Sequence, residues 1–478
     1  MADPKISHRW EPIQDLPADL RGYRDSELQS LFRVWSAQRE TLSQVEALAE
    51  YNRQLVREWA VETGIIEGVY TLDRGITRML IDRGIAASLI PRDATNLDPE
   101  LVAKIIQAHA ETLEGLFAFV KSERPFGTSY IRELHAALLK YQDTTTAFDQ
   151  FGDPVLMQLH KGAYKTLPNN PTREDGTIHE YCPPEHVSAE MDRLVALHAE
   201  HERDQVSVET EAAWVHHAFA QIHPFQDGNG RVARAIASLV LIRPGFFPYV
   251  VTREDRARYI ASLEAADGGD LRRFIEFSSI LQKRILTKAI GLAVDAKPAN
   301  SIADAITSTR DLLVQLGRIF PPEWLRAKAN AARCAQILQG VCNGIVSSLG
   351  TEITRVDSQY QFQSVGVGGI PPEFTRLAEH LQYEPNFSQY GHTQRILLKT
   401  ASRDSDITVS LHGIGAAFRG VIAAAAYFNS GEGLLVPLSD DIFRISYEET
   451  VQDIDARFRL WLEACLAKGI VLWRRTLV

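Results

Sequence analysis

The stretch His223-Pro224-Phe225-Gln226-Asp227-Gly228-Asn229-Gly230-Arg231-Val232-Ala233-Arg234 leads directly into an apolar run with helical spacing. Its glycine-rich centre can take backbone angles that most residues avoid, so that successive amide N–H groups turn toward an anion. The helix predicted to follow places the positive end of its dipole at the same point. A turn of this kind at the start of a helix is typical of a phosphate-binding site.

Four side chains around this turn supply the other parts of a phosphate-transfer site. Arg231 and Arg234 lie on the first helical turn, where their planar guanidinium groups suit phosphate oxygens. Asp227 is placed to hold a hard cation such as Mg²⁺ against the same phosphates. An unperturbed His223 is largely neutral at pH 7 and can accept a proton from a hydroxyl. Each residue alone has an ordinary structural explanation, but the whole set in this order favours chemistry.

The stretch resembles the signature of the Fic family, His-x-Phe-x-Asp/Glu-Gly-Asn-Gly-Arg-x-x-Arg, and matches it at every defined position. Fic proteins mostly transfer AMP from ATP to a hydroxyl side chain of a target protein. The resemblance implies that His223 is the catalytic base, that Asp227 binds Mg²⁺ and that Phe225 is a packing anchor. It assigns the phosphates of the substrate ATP to five residues: Gly228, Asn229, Gly230, Arg231 and Arg234.

The resemblance extends beyond the signature, over about the first three-fifths of the chain. Residues 131–135 resemble part of a core helix, and the stretch 162–182 resembles the β-hairpin flap that precedes the active-site loop. An extended edge there would align a target segment as an added strand through main-chain hydrogen bonds. The resemblance implies that Tyr164, Lys165 and Thr166 face the target. Taken alone, the stretch predicts only an ordinary surface hairpin.

A second motif, Thr63-Gly64-Ile65-Ile66-Glu67-Gly68, lies far upstream. On its own it also fits a helix cap followed by a helix end. In Fic proteins a Ser/Thr-x-x-x-Glu-Gly/Asn motif forms a short inhibitory helix, here expected at about 58–70. The resemblance, to the bacterial-type class in which this helix is N-terminal, implies that Glu67 pairs with Arg234 and blocks the terminal phosphate. In some relatives the same glutamate positions water for AMP removal, so that activity stays open.

The composition is that of an ordinary globular protein, with 23% charged residues and a formal net charge of −10. Nucleic acid and anionic membranes require a basic surface, so neither is an expected partner. Near Met1, the residues Asp3, Lys5, His8 and Arg9 interrupt any apolar run, and no stretch predicts a membrane-spanning helix. Four cysteines without Cys-x-x-Cys spacing fit reduced thiols in a cytoplasmic location and predict no zinc site.

Apolar spacing predicts a mainly α protein. We expect an N-terminal helical region at 1–98, a Fic helical bundle at 99–292 with its flap and the loop 223–234, and a C-terminal α+β domain at 300–478. Helical spacing runs from residue 25 to about 59, and strand-like material in the N-terminal half is mainly in the flap. Further helices are predicted at 74–90, 99–121, 127–141, 185–201 and 207–222.

The C-terminal domain has a different pattern after a junction near 295–300. Helices are predicted at 301–318, 322–348 and 448–468, and strands at 353–365, 393–400, 407–412, 434–436 and 442–445. The apolar run Gly420 to Phe428 fits a core strand or a short helix. The run Val365 to Gly369 lacks the lysine and the helix start of a phosphate loop, which favours a turn. Target recruitment or oligomer contact is the plainest role for this domain.

Three functions are compatible with these patterns. The leading one is an autoinhibited protein adenylyltransferase that modifies a Ser, Thr or Tyr hydroxyl of an unidentified target, either as a monomer or as a homo-oligomer. Fic relatives also transfer UMP, phosphate or phosphocholine; the complete arginine pair favours a triphosphate donor, although its base is not readable. A nucleotide sensor or adaptor is the third, but it would need neither His223 nor Asp227.

Overall fold

The structure is a computed structural model, and it describes most of the chain. The described residues are 6–42, 46–122, 124–148, 154–173, 175–292, 321–367, 371, 373–400, 404–415, 420–431 and 434–477. They belong to two compact units, of which unit 1 comprises Met1–Asp25 and Glu50–Gln282 and unit 2 comprises Ser26–Ala49 and Lys283–Val478. The helix predicted at 301–318 and the junction near 295–300 lie outside the described residues.

The described residues are mainly helical, which confirms the predicted fold class. In chain order the helices are α1 (Ala18–Arg21), α2 (Ser26–Leu42), α3 (Glu46–Ile66), α4 (Arg74–Arg83), α5 (Pro99–Lys121), α6 (Thr128–Leu138), α7 (Val187–Arg203), α8 (Val208–Ile222), α9 (Asn229–Ile242), α10 (Arg256–Asp267), α11 (Leu271–Gly291), α12 (Pro321–Glu352), α13 (Glu373–His380) and α14 (Val451–Arg475). Among them, no helix is both long enough and apolar enough to cross a membrane.

The strands are short in the first half of the chain and longer in the second half. In chain order they are β1 (Ile6–His8), β2 (Thr144–Phe148), β3 (Pro154–Gln158), β4 (Ile178–His179), β5 (Gln361–Val367), β6 (Pro385–Lys399), β7 (Asp404–Ile414), β8 (Val421–Asn429), β9 (Leu435–Pro437) and β10 (Phe443–Ser446). Strands β2 and β3 form an antiparallel hairpin, whereas β1 pairs with β4 in parallel.

The core of unit 1 is the helical pair α8 and α9. Both helices are buried along most of their length, and small residues such as Ala212, Ala213 and Ala233 let them approach closely. Ser207 caps the N-terminus of α8, and its hydroxyl accepts a hydrogen bond from the amide of Thr210. Helices α5 and α6 also pack on α9. The signature stretch joins the two most buried helices of the unit.

Two parts of unit 1 differ from the prediction. The segment predicted as a helix over 74–90 stops at Arg83, because Gly84 has a φ of +112°, which does not continue a helix. The longest strands of this unit are β2 and β3, whereas the sequence predicts strands mainly in 162–182. Among its described residues, that stretch contains only β4 and a single bridge between Thr172 and Ile178. The threonine run that opens β2 has the β-branched side chains that favour strands.

Unit 2 is built on an antiparallel sheet in the order β10-β8-β7-β6-β5, with β9 also paired to β8. The run from Gly420 to Phe428 is therefore a strand, one of the two alternatives that its length allows. The strand predicted at 353–365 starts only at Gln361, since α12 and a turn occupy the residues before it. Apolar side chains of α12 and α14 pack on one face of the sheet, among them Leu338, Phe458 and Trp473.

Helix α2 belongs to unit 2, although the sequence predicts it within an N-terminal helical region. Its buried residue Glu27 contacts three cations: the amino group of Lys283 at 3.2 Å and the guanidinium groups of Arg457 at 3.3 Å and Arg444 at 3.5 Å. Burial raises the pKa of Glu27, but the three cations outweigh it and lower this pKa to about 2. A buried carboxylate requires such partners. These ion pairs therefore help to explain why residues 26–49 belong to unit 2, although the predicted domain boundaries place them in the N-terminal region.

A second buried ionic network ties the start of unit 1 to α7 and α8. Glu211 accepts from His198 Nδ1 at 2.6 Å and from His201 Nδ1 at 2.7 Å, and His201 Nε2 lies 2.8 Å from Asp15. Burial alone lowers the pKa of His198, but Glu202 and Glu211 outweigh it and raise this pKa to about 9. The same balance raises the pKa of His201.

The raised histidine pKa values predict a loss of stability on the alkaline side. The folded protein binds these protons more tightly than the unfolded chain does, so the contribution is complete below about pH 6.5 and declines as the pH rises through about 9. Urea unfolding at pH 6.5 and 9.5 should show wild type losing about 2 kcal/mol more than Glu211→Gln, which lacks the paired charge. Equal losses would show that the network does not contribute in this way.

Candidate active site

The signature loop leaves α8 through a residue in the left-handed conformation. His223 has φ 49° and ψ 56°, and Gly228, which precedes α9, has φ 79°. Asn229 and Gly230 are instead the first residues of α9, so they do not take the positive angles that the sequence suggests for them. Amides in the first turn of a helix have no intrahelical acceptor, and they face the loop. The N-terminal turn of α9 is therefore formed by Asn229 onward.

Hydrogen bonds between the side chain of Asn229 and the main chain of Phe225 brace the loop. Asn229 Oδ1 accepts from the amide of Phe225 at 2.9 Å, and Asn229 Nδ2 donates to the carbonyl of Phe225 at 2.7 Å. The Phe225 ring is fully buried and stacks on His135 at 3.9 Å between ring centroids. His135 Nε2 also lies 3.1 Å from the carbonyl of Asp227. The Asn229 side chain thus holds the shape of the loop.

His223 is held in the tautomer that a general base needs. Its Nδ1 donates to the carbonyl of Ala220 at 3.2 Å, which leaves the lone pair on Nε2. The ring stacks on Tyr181 with centroids 3.7 Å apart and planes at 6°. Burial, together with the positive charge of Lys165, lowers the pKa of His223 to about 3. The imidazole is therefore neutral and able to accept a proton at physiological pH.

Asp227 is oriented by two residues from the hairpin region. Gln142 Nε2 donates to its Oδ2 at 2.6 Å, and Thr145 Oγ1 donates to the same oxygen at 3.0 Å. Burial raises the pKa of Asp227, but the charge of Arg231 and these hydrogen bonds outweigh it, so that the pKa is lowered. The side chain remains 32% exposed. Asp227 is therefore an ionised carboxylate that is still partly accessible to solvent.

Arg231 is buried but only partly satisfied. Its side chain is 1% exposed, and Nη2 donates to Gln142 Oε1 at 2.8 Å and lies 3.6 Å from Asp227 Oδ1. In the described part of the chain, neither Nε nor Nη1 has a hydrogen-bond partner. A buried unpaired donor on a charged group costs about 1–3 kcal/mol or more. An anionic ligand at the N-terminus of α9 would satisfy these two donors of Arg231.

Arg234 has its donors filled by the upstream motif. Nη1 donates to Glu67 Oε1 at 2.7 Å, Nε donates to Thr63 Oγ1 at 2.8 Å, and Nη2 donates to the Thr63 carbonyl at 3.0 Å. Glu67 also lies directly over Gly230, where an added Cβ would come within 2.2 Å of Oε1. The Glu67 carboxylate therefore takes a donor of the Arg234 guanidinium and fills the space above the first turn of α9.

The upstream motif is the end of a long helix and not a short separate one. Helix α3 runs over Glu46–Ile66, and Glu67 follows in the turn that Gly68 closes with φ 67°. Continuous apolar spacing through residues such as Leu55 and Trp59 explains the length. Glu62, one residue before Thr63, accepts from the amide of Arg253 at 2.9 Å, which fastens this end of α3.

The predicted flap residues lie in two different environments. Lys165 is buried, its amide donates to the Pro224 carbonyl at 2.8 Å, and its amino group donates to Asn169 at 2.8 Å. The ring of Tyr164 lies 5.6 Å from that of Phe225. Both side chains thus support the signature loop, which does not fit a role at a target-facing edge; Thr166 alone is exposed. Burial lowers the pKa of Lys165 to about 8.

The strand edge of the flap lies farther along the chain. The amide of Arg173 donates to the carbonyl of Thr177, which closes a short hairpin before β4. Glu180 follows β4, its amide donates to the His8 carbonyl at 2.9 Å, and the next residue is Tyr181, which stacks on His223. Strand β1 therefore occupies an edge that ends at the candidate base.

Several residues of the site carry no signal in the sequence. Gln142 and Thr145 orient Asp227, Tyr181 covers His223 and His135 supports Phe225. Gln, Thr and Tyr are common residue types without distinctive spacing here, so they could not be singled out. His135 and Tyr181 do lie in stretches that resemble the family, 131–135 and 162–182, but neither stretch indicates which of its residues supports the loop.

Together, the helical fold and the loop define an α-helical protein with a glycine-rich turn at a helix N-terminus, two buried arginines and a neutral histidine beside it. Residues 125–241 match the Fic/DOC family model, so the chain carries a Fic domain. The chain is 28% identical over 252 residues to protein adenylyltransferase fic-1 of Caenorhabditis elegans, which covers 50% of this chain and 43% of that protein. It thus spans less than half the length of that curated relative.

Two other comparisons found similar proteins. Protein adenylyltransferase Fic of Nematostella vectensis is 41% identical over 75 residues, 16% of this chain and 18% of that protein. A Fic domain containing signaling protein from Bacteroides thetaiotaomicron is 26% identical, with a TM-score of 0.46 and coverage of 57% of this chain and all of the other.

The end of α3 offers a paired test of the packing that positions Glu67. An added Cβ at Gly64 would lie 2.5 Å from the hydroxyl of buried Tyr70, whereas one at Gly115 in α5 would have nothing within 4 Å. We expect Gly64→Ala to destabilise the protein by about 1–3 kcal/mol. Gly115→Ala should stabilise it by about 0.5–1 kcal/mol. Urea midpoints would measure both, and a stabilising Gly64→Ala would contradict the described contact with Tyr70.

Proposed function

We propose that this chain is a protein adenylyltransferase that transfers AMP from ATP to a Ser, Thr or Tyr hydroxyl of a target protein. The observation that carries the proposal is the buried Arg231, whose Nε and Nη1 have no partner in the described residues. Arg234, one helical turn away, has its donors filled by an acidic side chain. Two buried guanidinium groups at a helix N-terminus suit a polyphosphate, and the similarity to protein adenylyltransferases supports AMP as the transferred group.

The chemistry follows from the position and protonation of His223. A target hydroxyl gives its proton to Nε2 as its oxygen attacks the α-phosphorus of ATP. The bond between that phosphorus and the bridging oxygen breaks, pyrophosphate leaves, and AMP remains on the target oxygen. The proton then passes from His223 to solvent. The Nδ1 hydrogen bond to Ala220 keeps Nε2 as the accepting atom throughout.

Asp227 fits the role of a Mg²⁺ ligand. Its carboxylate is ionised, partly exposed and oriented by Gln142 and Thr145. Mg²⁺ prefers oxygen ligands, usually one or two carboxylates together with phosphate oxygens. When bound, the ion would neutralise charge on the phosphates during transfer. Arg231, 3.6 Å from Asp227, would contact the same phosphates from the other side.

We further propose that Glu67 restrains the enzyme. Its carboxylate takes a donor of Arg234 and lies over Gly230, where the outer phosphate would otherwise approach. A hydrogen bond between charged groups contributes about 1.5–3 kcal/mol, or roughly 10- to 100-fold in nucleotide affinity. The restraint is thus strong but reversible. Use of Glu67 to position water for AMP removal would need a carboxylate facing the same phosphorus, and we keep it as a secondary proposal.

The target-facing edge is proposed at residues 178–180 and not at Tyr164 and Lys165. Main-chain groups of β4 and Glu180 lead directly to Tyr181, which stacks on His223. A target strand paired there would bring a hydroxyl toward the base. Strand β1 now holds this edge. A target must therefore displace β1 or use the opposite edge at Thr172.

The remaining parts of the proposal are the donor nucleotide, the alternative of a sensor, the location of the protein and the role of the C-terminal domain. A different donor would keep the phosphate contacts and change only the base, for which no described pocket gives a preference. A sensor or adaptor would need neither the base tautomer of His223 nor the orientation of Asp227 by Gln142 and Thr145. We propose a cytoplasmic location, because all four cysteines are free and buried. The C-terminal domain is proposed to recruit the target or a second copy of this chain.

A single and a double variant test the restraint and the base together. Glu67→Gly should raise AMP incorporation by at least about 10-fold, because Arg234 is freed for the outer phosphate. Glu67→Gly/His223→Ala should lose transfer while it still binds ATP, because the phosphate contacts remain. Intact-mass spectrometry after incubation with Mg²⁺ and each of ATP, UTP, CTP and GTP would measure both effects and identify the donor.

A matched control separates charge removal from a general effect. Glu114 is an exposed residue of α5, and Glu114→Gly should leave incorporation unchanged. If Glu67→Gly behaves like Glu114→Gly, the restraint is absent. If ATP binds but no variant transfers label in a manner that depends on His223, the sensor function replaces the transferase.

The lowered pKa of His223 predicts a broad acid range for the released enzyme. Transfer by Glu67→Gly should hold down to about pH 5, and fall only as the pH approaches the pKa of about 3 at which the base becomes protonated. Rates of AMP incorporation measured from pH 5 to 8 would show this. A half-maximal rate near pH 6.5 would mean that the imidazole titrates as a free histidine.

A further inference from the structure

A cluster of three potential metal ligands lies next to the flap edge. His8 is in β1, His179 is in β4, and Asp267 is the last residue of α10. One ligand atom from each lies within 4.8 Å of the other two. The two imidazole rings stack with centroids 4.4 Å apart and planes at 16°. The parallel pairing of β1 with β4 holds the two histidines in register.

The residue types and their surroundings suit a borderline cation such as Zn²⁺. Zinc binds imidazole nitrogen and carboxylate oxygen at about 2.0–2.2 Å, so neighbouring tetrahedral ligand atoms lie about 3.4 Å apart, and closure requires movements of roughly an ångström. His217 Nε2 donates to Asp267 Oδ1 at 3.0 Å, an outer hydrogen bond of the kind that orients carboxylate ligands. His179 is 5% exposed, so a metal ion bound there would be largely shielded from solvent.

A guanidinium group competes for the cluster. Arg173 Nη2 lies 3.2 Å from His179 Nδ1, and a guanidinium can only donate, so Nδ1 accepts and the ring proton sits on Nε2. A metal ion must either take Nδ1 from Arg173 or bind Nε2 after the proton has moved to Nδ1, where the guanidinium no longer fits. Arg173 has another partner in Glu264, 2.9 Å from Nη1. It can therefore turn away without losing its only ion pair.

We propose that His8, His179 and Asp267 form a site for a divalent transition metal, which replaces Arg173 at His179 and fastens β1 to β4. The site is separate from Asp227, which suits the harder Mg²⁺. Its consequence for catalysis rests on the proposed function: with the metal bound, β1 is retained on the edge that leads to Tyr181 and His223. Metal binding would then reduce access of a target strand without touching the phosphate site.

Metal titration of the full chain tests the site directly. We expect one equivalent of Zn²⁺ by calorimetry at pH 7.5, and a visible Co²⁺ absorption band that reports imidazole ligation. His8→Ala should weaken binding by about 10-fold or more, and Arg173→Gln should strengthen it. His160→Ala removes an exposed histidine outside the cluster and should change nothing. Absence of binding, or equal binding by wild type and His8→Ala, would overturn the proposal.

Hydrogen exchange tests whether the metal fastens β1. The amide of Glu180 donates to the carbonyl of His8, so Zn²⁺ should slow exchange in a peptide covering 178–181 of wild type but not of His8→Ala. Stoichiometric binding with unchanged exchange would disprove the link between the metal and β1. Neither measurement involves nucleotide or target. A failure of the metal site is therefore distinguishable from a failure of the adenylyltransferase proposal.

Discussion

The attachment of the end of α3 to the Arg234 guanidinium is the interaction on which the site in unit 1 depends most. The Arg234 side chain is 1% exposed, and each of its nitrogens donates to the end of α3, to Thr63 or to Glu67. A buried cation without partners would cost several kcal/mol, so the end of α3 cannot leave α9 unless another anion arrives. Two close approaches follow from this attachment. Gly64 admits the ring of Tyr70 against α3, and Gly230 leaves room for the carboxylate above α9.

The two signature arginines are in opposite states. Arg231 is oriented by Gln142 and keeps two unpaired nitrogens, whereas Arg234 is fully engaged. The proposed phosphate site therefore has one arginine with unpaired donors and one arginine that already pairs with a carboxylate of the protein. Because the difference between the two states is a matter of a few hydrogen bonds to charged groups, any signal that weakens the hold of Glu67 by a few kcal/mol is sufficient to shift the population.

Sequence patterns located the loop and the pairing partner of Arg234 for different physical reasons. The loop is local: base, carboxylate, glycine turn and guanidinium groups follow one another within twelve residues, and their order carries the chemistry. The upstream glutamate was found only through resemblance to a family, since a Thr-to-Glu spacing is also a helix cap. The residues that orient Asp227 lie more than 80 positions away and are ordinary types, so no pattern marks Gln142 or Thr145.

The prediction was weakest where main-chain contacts decide the outcome. Lys165 was expected at a target-facing edge, but a hydrogen bond from its amide to Pro224 draws it under the loop. Strand β1 gives no signal in its three residues, and its place beside β4 comes from pairing over about 170 positions. Helix α2 has the apolar spacing of any amphipathic helix, which does not show what it packs against; its contacts with β10 and its ion pairs with distant cations lie in unit 2.

That assignment of α2 has a consequence for how the chain is made. Synthesis proceeds from the first residue onward, so Glu27 emerges from the ribosome hundreds of residues before Arg444 and Arg457. At about 5–20 residues per second, α2 waits for tens of seconds with its carboxylate solvated and its apolar face uncovered, while unit 1 already has most of its sequence. Neither unit is a contiguous segment that a single recombination event could transplant, and the last helices to be synthesised complete the burial of one of the first.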